Sequence, residues 1–420
     1  MMALVYAVQG SFWPLLAVHL KDLGIEGRQR GWIFATMALG SLAMPLGVGQ
    51  LVDRFLPAER YLALAAALGS ALLLVLATGL TARPEVLFAL FLVYWLITAP
   101  SASTSAAIAL RNLARPRRDY GAVRLWGTVS WMLVGWLVSG LMAWSGSARG
   151  GTGVYEAFWL ATGFSVVLAG YSLTLPHTPP LATGARGVSG LVEALRVTRR
   201  PSVALFLFAA FGVCLTTPFV YQVMPTYLEA RGLPRAWVPT AMTLGQWPEI
   251  AALAVLPWLF RRLDYRGTLA LGIGAWAVRY GSLALDPPLA VALAGIPLHG
   301  VGIACFTVGG QVFMDSQAPS NHRASAQALL VVFTSGIGAL LGSLLAGEVV
   351  ARFRADDAKV FLLPCVIDLA LLIYFCASFR PDATNAESTD VTRAPRPWDN
   401  DAARGRAARV GNLVTESADG

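Results

Sequence analysis

The sequence predicts an all-α membrane protein with twelve transmembrane helices arranged as two six-helix pseudo-repeats. Three observations carry this. Hydrophobic residues fill 56% of the 420 positions and charged residues only 13%, where a soluble globular chain carries about 25% charge. The mean hydropathy is +0.60, and the apolar residues run in continuous blocks instead of alternating. Blocks of about 20 residues suit spanning helices, whereas a membrane β-barrel would show alternating segments of about 10.

In order along the chain, spans are expected at 3–20, 31–52, 61–80, 86–110, 123–145 and 155–175, then at 202–228, 237–259, 268–285, 288–314, 324–350 and 360–379. The chain therefore divides into an N-terminal bundle (1–175), a cytoplasmic linker (176–201), a C-terminal bundle (202–380) and a tail (381–420). The tail lacks apolar periodicity and is expected to be disordered on the cytoplasmic side. In the linker, Leu191, Val192 and Leu195 beside Glu193, Arg196, Arg199 and Arg200 suit a short amphipathic surface helix. The first span begins almost at Met1 without a polar flank, so a start codon further upstream is expected, and no cleavable signal is needed.

Fourteen Lys and Arg lie in the loops after spans 2, 4, 6, 8 and 10, against ten in the remaining loops. The excess places the first set, and both termini, in the cytoplasm. The net charge of +8 is spread over these loops and not gathered on one face, which argues against nucleic acid as a partner. The expected surroundings are the lipid bilayer and a monomeric state. Cys214, Cys305, Cys365 and Cys376 sit inside apolar runs without CxxC spacing, so neither a metal nor a disulfide is indicated. No phosphate loop, zinc pattern or nucleophile elbow occurs, and His19, His177 and His322 are scattered singles, so an enzyme or an ATP-driven pump has no support.

A weak internal repeat supports the two halves. Gly49-Gln50-Leu51-Val52-Asp53-Arg54 follows the second span, and Arg261, Arg262, Asp264, Arg266 and Gly267 follow the eighth. Arg124-Leu125-Trp126-Gly127-Thr128 opens the fifth, and Arg323-Ala324-Ser325-Ala326-Gln327 opens the eleventh. Secondary transporters built from such repeats hold their substrate near the midplane between halves.

Charges within the spans carry the chemistry, since each costs at least ~2.5–3.5 kcal/mol unless paired or hydrated. They are Arg124, Glu249, Arg279 and Asp368, joined by the titratable His299. Arg124, Thr128 and Trp131 share one helix face: two hydrogen-bonding groups and an aromatic plate suit a polar, ring-bearing solute. A snorkelling interfacial role for Arg124 is the plain alternative. Gln246 and Glu249 share a face of span 8, with Pro248 between them expected to loosen that helix. A buried Glu can take a proton in one state and release it in another; a static ion pair with Arg279 or Arg124 is the competing reading. Arg279 and His299 complete a polar cluster, and Asp368 awaits a partner. Gln9, Tyr221 and Gln222 lie in spans 1 and 7, where Pro14, Pro218 and Pro225 mark expected breaks.

Gly49, Asp53 and Arg54, a G-x-x-x-D-R loop between spans 2 and 3, resemble the loop motif of the major facilitator superfamily, which implies an Asp that caps neighbouring helix ends and stabilises one conformation; a solvated loop pair is the alternative. The stretches Val123–Thr128, Ser172–His177, Gln246–Glu249, Ala275–Arg279 and Arg323–Gln327, in the same order, resemble the nucleoside:proton symporter family of that superfamily. The resemblance implies an inner-membrane protein that takes up nucleosides by alternating access, with the proton as coupling ion and no other cofactor. It places Arg124, Thr128, Trp131, Gln246 and Glu249 in the binding face and gives proton coupling to Glu249; from the residues themselves, Tyr221 is expected to line the site and Arg279 and His299 to join the proton-handling cluster. Pro218 and Tyr221 stand where nucleoside-binding members carry Gln and Asn, and Ile303 and Ala304 where they carry an aromatic and an acid. A sugar or small aromatic acid symporter is the alternative; a transporter-shaped receptor or membrane enzyme is further off.

Overall fold

The computed structural model describes residues 1–43, 56–145, 154–179, 195–318 and 323–380, and every regular element among them is helical. The spanning helices are α1 (Met2–Asp22), α2 (Arg28–Ala43), α3 (Ala58–Ala77), α4 (Pro84–Asn112), α5 (Pro116–Ser145) and α6 (Tyr155–Ser172). After the linker come α7 (201–230), α8 (238–263), α9 (265–284), α10 (Leu289–Gln317), α11 (323–353) and α12 (Ala358–Ser378). The loop motif Gly49, Asp53 and Arg54, linker residues 180–194 and the tail 381–420 lie outside the described residues. What is described of the linker's expected surface helix is a 3-10 turn, Leu195–Arg199.

Proline chemistry shapes several spans. A 3-10 turn at Trp13–Leu15 interrupts α1 at Pro14. In α7 the helix stops at Thr216, resumes over Pro218–Gln222 and restarts at Met224, because Pro218 and Pro225 bring no N–H to the helical ladder. Pro248 does not loosen α8 as expected. It occupies the first turn after a 3-10 segment, Thr243–Gly245, where its missing N–H would lack an intrahelical partner in any case. The discontinuity falls just before Gln246 instead. Spans 8 and 9 follow one another without an intervening loop, parted at Asp264, whose φ of 54° turns the chain.

Helix pairing repeats with an offset of six. α3 packs on α6 and α9 on α12; α1 packs on α5 and α7 on α11; α1 packs on α6 and α7 on α12; α2 packs on α4 and α8 on α10. The contacts between halves, α2 with α11 and α5 with α8, exchange under the same offset. The twelve helices thus form two related six-helix halves about a pseudo-two-fold relation, as in repeat-built transporters.

In lipid there is no hydrophobic drive between helices, so small residues set the seams. A Cβ on Gly31 of α2 would lie 2.9 Å from the Ser343 carbonyl oxygen and 3.0 Å from the Gly347 Cα of α11. One Cβ on Gly40 would meet the Trp95 carbonyl oxygen at 2.8 Å. The large side chains that remain exposed, among them Trp144, Val166, Phe208, Val366 and Ile373, are the outer surface a bilayer would cover.

Candidate functional site

Ion pairs between the halves gather at the end of the bundle formed by the α1–α2, α7–α8 and α11–α12 connections. The Arg235 guanidinium donates through Nη1 and Nη2 to the two carboxylate oxygens of Asp22, both at 2.8 Å, and through Nε to Glu229 at 2.7 Å. Lys21 donates to Glu229 at 3.1 Å, and Arg28 holds Glu348 through two hydrogen bonds. Burial alone would favour the neutral form of Glu229, but the hydrogen bonds from Arg235 and Lys21 outweigh it and hold that carboxyl below its ordinary range. Burial likewise works against charge on Arg235, and its two carboxylate partners overcome it.

Towards the middle of the bundle the two halves meet through neutral groups. Ser139 of α5 accepts from the Thr240 N–H of α8 at 3.1 Å and pairs with its hydroxyl at 2.8 Å, and Trp136 Nε1 donates to Thr243 at 3.1 Å. These contacts fix an antiparallel register. Continued toward the opposite end, that register brings Trp131 and Thr128 level with Gln246 and Glu249.

The α5 face stands on α1. The Arg124 guanidinium lies 4.4 Å from the Tyr6 ring centroid, a cation–π arrangement. Gly127 makes room for it, since a Cβ there would meet Tyr6 and lie 2.9 Å from Arg124 Nη1. Trp131 packs on Gly10 of α1. Arg124 is half-buried and is the cation that acts electrostatically on Glu249 across the interface, so it faces inward and is not merely a snorkelling anchor. The carboxyl and guanidinium are not in ion-pair contact.

On α8, the Gln246 amide is buried and, turned to satisfy its neighbours, donates to the Thr243 and Met242 carbonyls at 2.7 and 3.2 Å. That leaves its carbonyl oxygen as the group on offer. Glu249 is positioned by α10: a Cβ on Gly300 would collide with the Gly245 carbonyl oxygen and the Glu249 backbone nitrogen. His299, the neighbour of Gly300, sits between Tyr221 (ring centroids 6.5 Å) and Trp276 (5.1 Å). Tyr221 reaches the other half through Trp13, at 6.0 Å. Arg279 is buried with its guanidinium 5.7 Å from the Trp276 ring. Trp276 Nε1, Arg279 Nε and Nη1, and His299 Nδ1 make no hydrogen bond to the described residues.

The structure thus gathers the predicted residues in two places: Arg124, Thr128 and Trp131 opposite Gln246 and Glu249, and Arg279 with His299 and Tyr221 deeper in the second half. Sequence reasoning missed Tyr6, Trp13 and Trp276; the i, i+4 pair Trp276 and Tyr280, stacked at 5.8 Å, was the signal available for the last. It also counted Arg30 as a loop cation. Arg30 is fully buried, donating to the Gln222 carbonyl oxygen of α7 at 3.1 Å, with Glu26 at 3.6 Å. Asp368 finds its partner in the Thr216 hydroxyl. Pro218 lies at the α7 break, and Ile303 and Ala304 open a π-helical turn over Ile303–Val308, a local widening that recurs at functional sites.

The chain is 30% identical over 369 residues to YegT of Escherichia coli (strain K12), covering 86% of this chain and 85% of that protein. It is 25% identical to the xanthosine permease of the same strain, over 93% of this chain and 97% of the permease. The crystal structure of the nucleoside transporter NupG superposes with a TM-score of 0.78 at 21% identity, over 91% of this chain and 98% of that one. The sequence profile described as Nucleoside H+ symporter matches residues 1–384. This chain is a multi-span membrane transporter, and it belongs to the nucleoside H+ symporter family.

Proposed function

We propose that the protein takes nucleosides into the cell together with protons across the inner membrane, by rocking of the halves 1–175 and 202–380 about the site between them. Both termini lie in the cytoplasm, so the end closed by Asp22, Arg235, Glu229, Arg28 and Glu348 faces outside, and the conformation described is closed to the exterior. The observation that supports the site is the register of α5 on α8, by which Thr128 and Trp131 come level with Gln246 and Glu249, with Arg124 about a turn further along α5. The base stacks on Trp131 and Tyr221, as flat rings do on aromatic side chains. Arg124, Thr128 and the Gln246 carbonyl oxygen hydrogen-bond the polar edge and the ribose hydroxyls, with the unpartnered Arg279 and His299 donors behind them. Gly49, Asp53 and Arg54 stabilise one conformation from the cytoplasmic face.

Glu249 takes the coupling proton. Ionised, it attracts Arg124 across the interface; protonated, it releases that attraction and offers a donor to the sugar. Proton and nucleoside therefore favour the same state, which is what linked transport requires. The experiment is uptake by proteoliposomes carrying Glu249→Gln. Accumulation against a gradient is lost while nucleoside exchange at equal concentrations persists; uphill accumulation retained in that variant would overturn the assignment.

A further inference from the structure

A second carboxyl lies away from this site. Asp368 of α12 is fully buried, and both of its oxygens stand 3.1 Å from the Thr216 hydroxyl oxygen of α7. No Lys or Arg pairs with it among the described residues. The titratable groups that face it are Cys214 of α7, Tyr280 of α9 and Cys365 of its own helix, none of them a cation at neutral pH. Arg279 lies beyond Tyr280 and acts on that tyrosine.

Burial without a countercharge decides the state of this acid. A hydroxyl has one proton to donate. The Thr216 hydroxyl lies 2.8 Å from the Val213 carbonyl oxygen, one turn back in α7. That proton serves either the Val213 carbonyl or the carboxyl, whereas a neutral Asp368 donates to the Thr216 oxygen and leaves it on the carbonyl. A bare carboxylate in this place would lack a countercharge and keep at most one donor, a costly arrangement. The Val213 carbonyl also accepts from the Thr217 N–H and hydroxyl, each at 3.0 Å. These bonds close the last regular turn before the break; the carbonyl that Pro218 leaves without its ladder partner is the next one, that of Cys214. The segment beyond this break carries Tyr221 into the site and Gln222 to Arg30 of the opposite half.

We infer that Asp368 is a second proton-carrying residue of the transport cycle, its protonation tied to the bend of α7 at Thr216–Pro218. On release the Asp368 O–H bond breaks and the proton passes to water admitted on the cytoplasmic side. The Thr216 hydroxyl then swings its own proton from the Val213 carbonyl to the carboxylate, and the last turn before the break keeps only the Thr217 N–H and hydroxyl on that carbonyl. A chain of neighbours links the acid to the substrate site: Tyr280, whose hydroxyl donates to the Thr216 carbonyl at 2.7 Å, then Arg279, Tyr221 and Glu249, each acting electrostatically on the next. The inference rests on the proton-symport reading and adds an acid to it.

The test is the proton-to-nucleoside ratio in proteoliposomes, from labelled uptake and an internal pH dye, for the full chain and for Asp368→Asn. The amide preserves shape and neutrality, so exchange continues while the ratio falls by about one, since one carboxyl carries one proton. Thr216→Val removes the hydroxyl with little change in volume. The carboxylate loses its donor, and the alkaline limb of the uptake–pH profile moves upward by about one unit or more, a shift that a purely structural threonine would not cause. An unchanged ratio in Asp368→Asn, or an unmoved profile in Thr216→Val, overturns the inference while leaving symport intact. A wild-type chain that accumulates nucleoside without proton drive overturns the symport reading and this inference with it.

Discussion

Replacing Asp22 with Ala removes a two-bond ion pair between the halves at the closed end. Asp22 and Arg235 are 11% and 14% exposed and meet through two hydrogen bonds of 2.8 Å, and Arg235 keeps Glu229 after the change. Charge-assisted bonds of this type contribute about 1.5–3 kcal/mol net. Asp22 belongs to one half and Arg235 to the other, so the energy is lost only from the closed state. At about 1.4 kcal/mol per tenfold, opening toward the exterior becomes about 10- to 150-fold more favourable. The assay is labelling of Thr128→Cys, with the four native cysteines replaced, by an impermeant maleimide in right-side-out vesicles. Lys21→Ala serves as the contrast: Lys21 is 37% exposed, and such a pair contributes about 0.2–1 kcal/mol, less than about tenfold in opening. Labelling unchanged by Asp22→Ala, or raised equally by Lys21→Ala, refutes the reasoning. Labelling enhanced only from the cytoplasmic side refutes the orientation.

Acid loosens the same closure within a narrow window. Glu229 is held below its ordinary value of 4.5, so its contribution is complete above that value and is lost as pH falls through the depressed one. External labelling of Thr128→Cys, taken relative to the same cysteine in the unfolded chain at each pH to cancel the thiolate's own titration, therefore stays flat from neutral pH to about 4.5 and rises below it; a rise already near pH 6 would show that another group controls the gate. Gly300→Ala forces backbone of α8 and α10 apart at Gly245 and Glu249 and costs about 1–3 kcal/mol by overpacking. A lowered melting temperature in detergent with loss of uptake is the expected result, and normal uptake in this variant would sever Gly300 from the placement of Glu249.

What sequence alone discloses here is what neighbouring residues decide. The spans follow from apolar run length, and the breaks at Pro14, Pro218 and Pro225 follow from a missing N–H. The α5 face follows from the spacing of Arg124, Thr128 and Trp131. Partnerships across the fold leave no such trace. Arg30 looks like a loop cation because the carbonyl it serves belongs to Gln222, and Asp368 looks solitary because Thr216 is 152 residues away. Gly300 looks like any helical glycine until α8 is laid against it.

The pseudo-symmetry adds a mechanical consequence that neither half contains alone. The two interfaces between halves are related by the repeat yet differ in chemistry. At α2–α11, the backbones at Gly31, Ser343 and Gly347 touch so closely that no Cβ fits on Gly31 without displacing Ser343 or Gly347, and the Arg28–Glu348 pair caps the seam. At α5–α8 a Cβ on Gly135 would lie 2.7 Å from the Thr243 side chain, and the polar joints are the Trp136 bond to Thr243 and the two bonds between Thr240 and Ser139, each contributing about 0.5–1.5 kcal/mol and able to re-form with water. A rocking motion that opens the closed end must therefore release the charged contacts of α1, α2, α7 and α11 together, whereas α5 and α8 can part and rejoin bond by bond. Arg30 and Gln222 tie the first of these interfaces to the α7 break, and through Thr216 to Asp368. The buried acid at the hinge, not only the one in the substrate site, is thus in a position to bias which end is open.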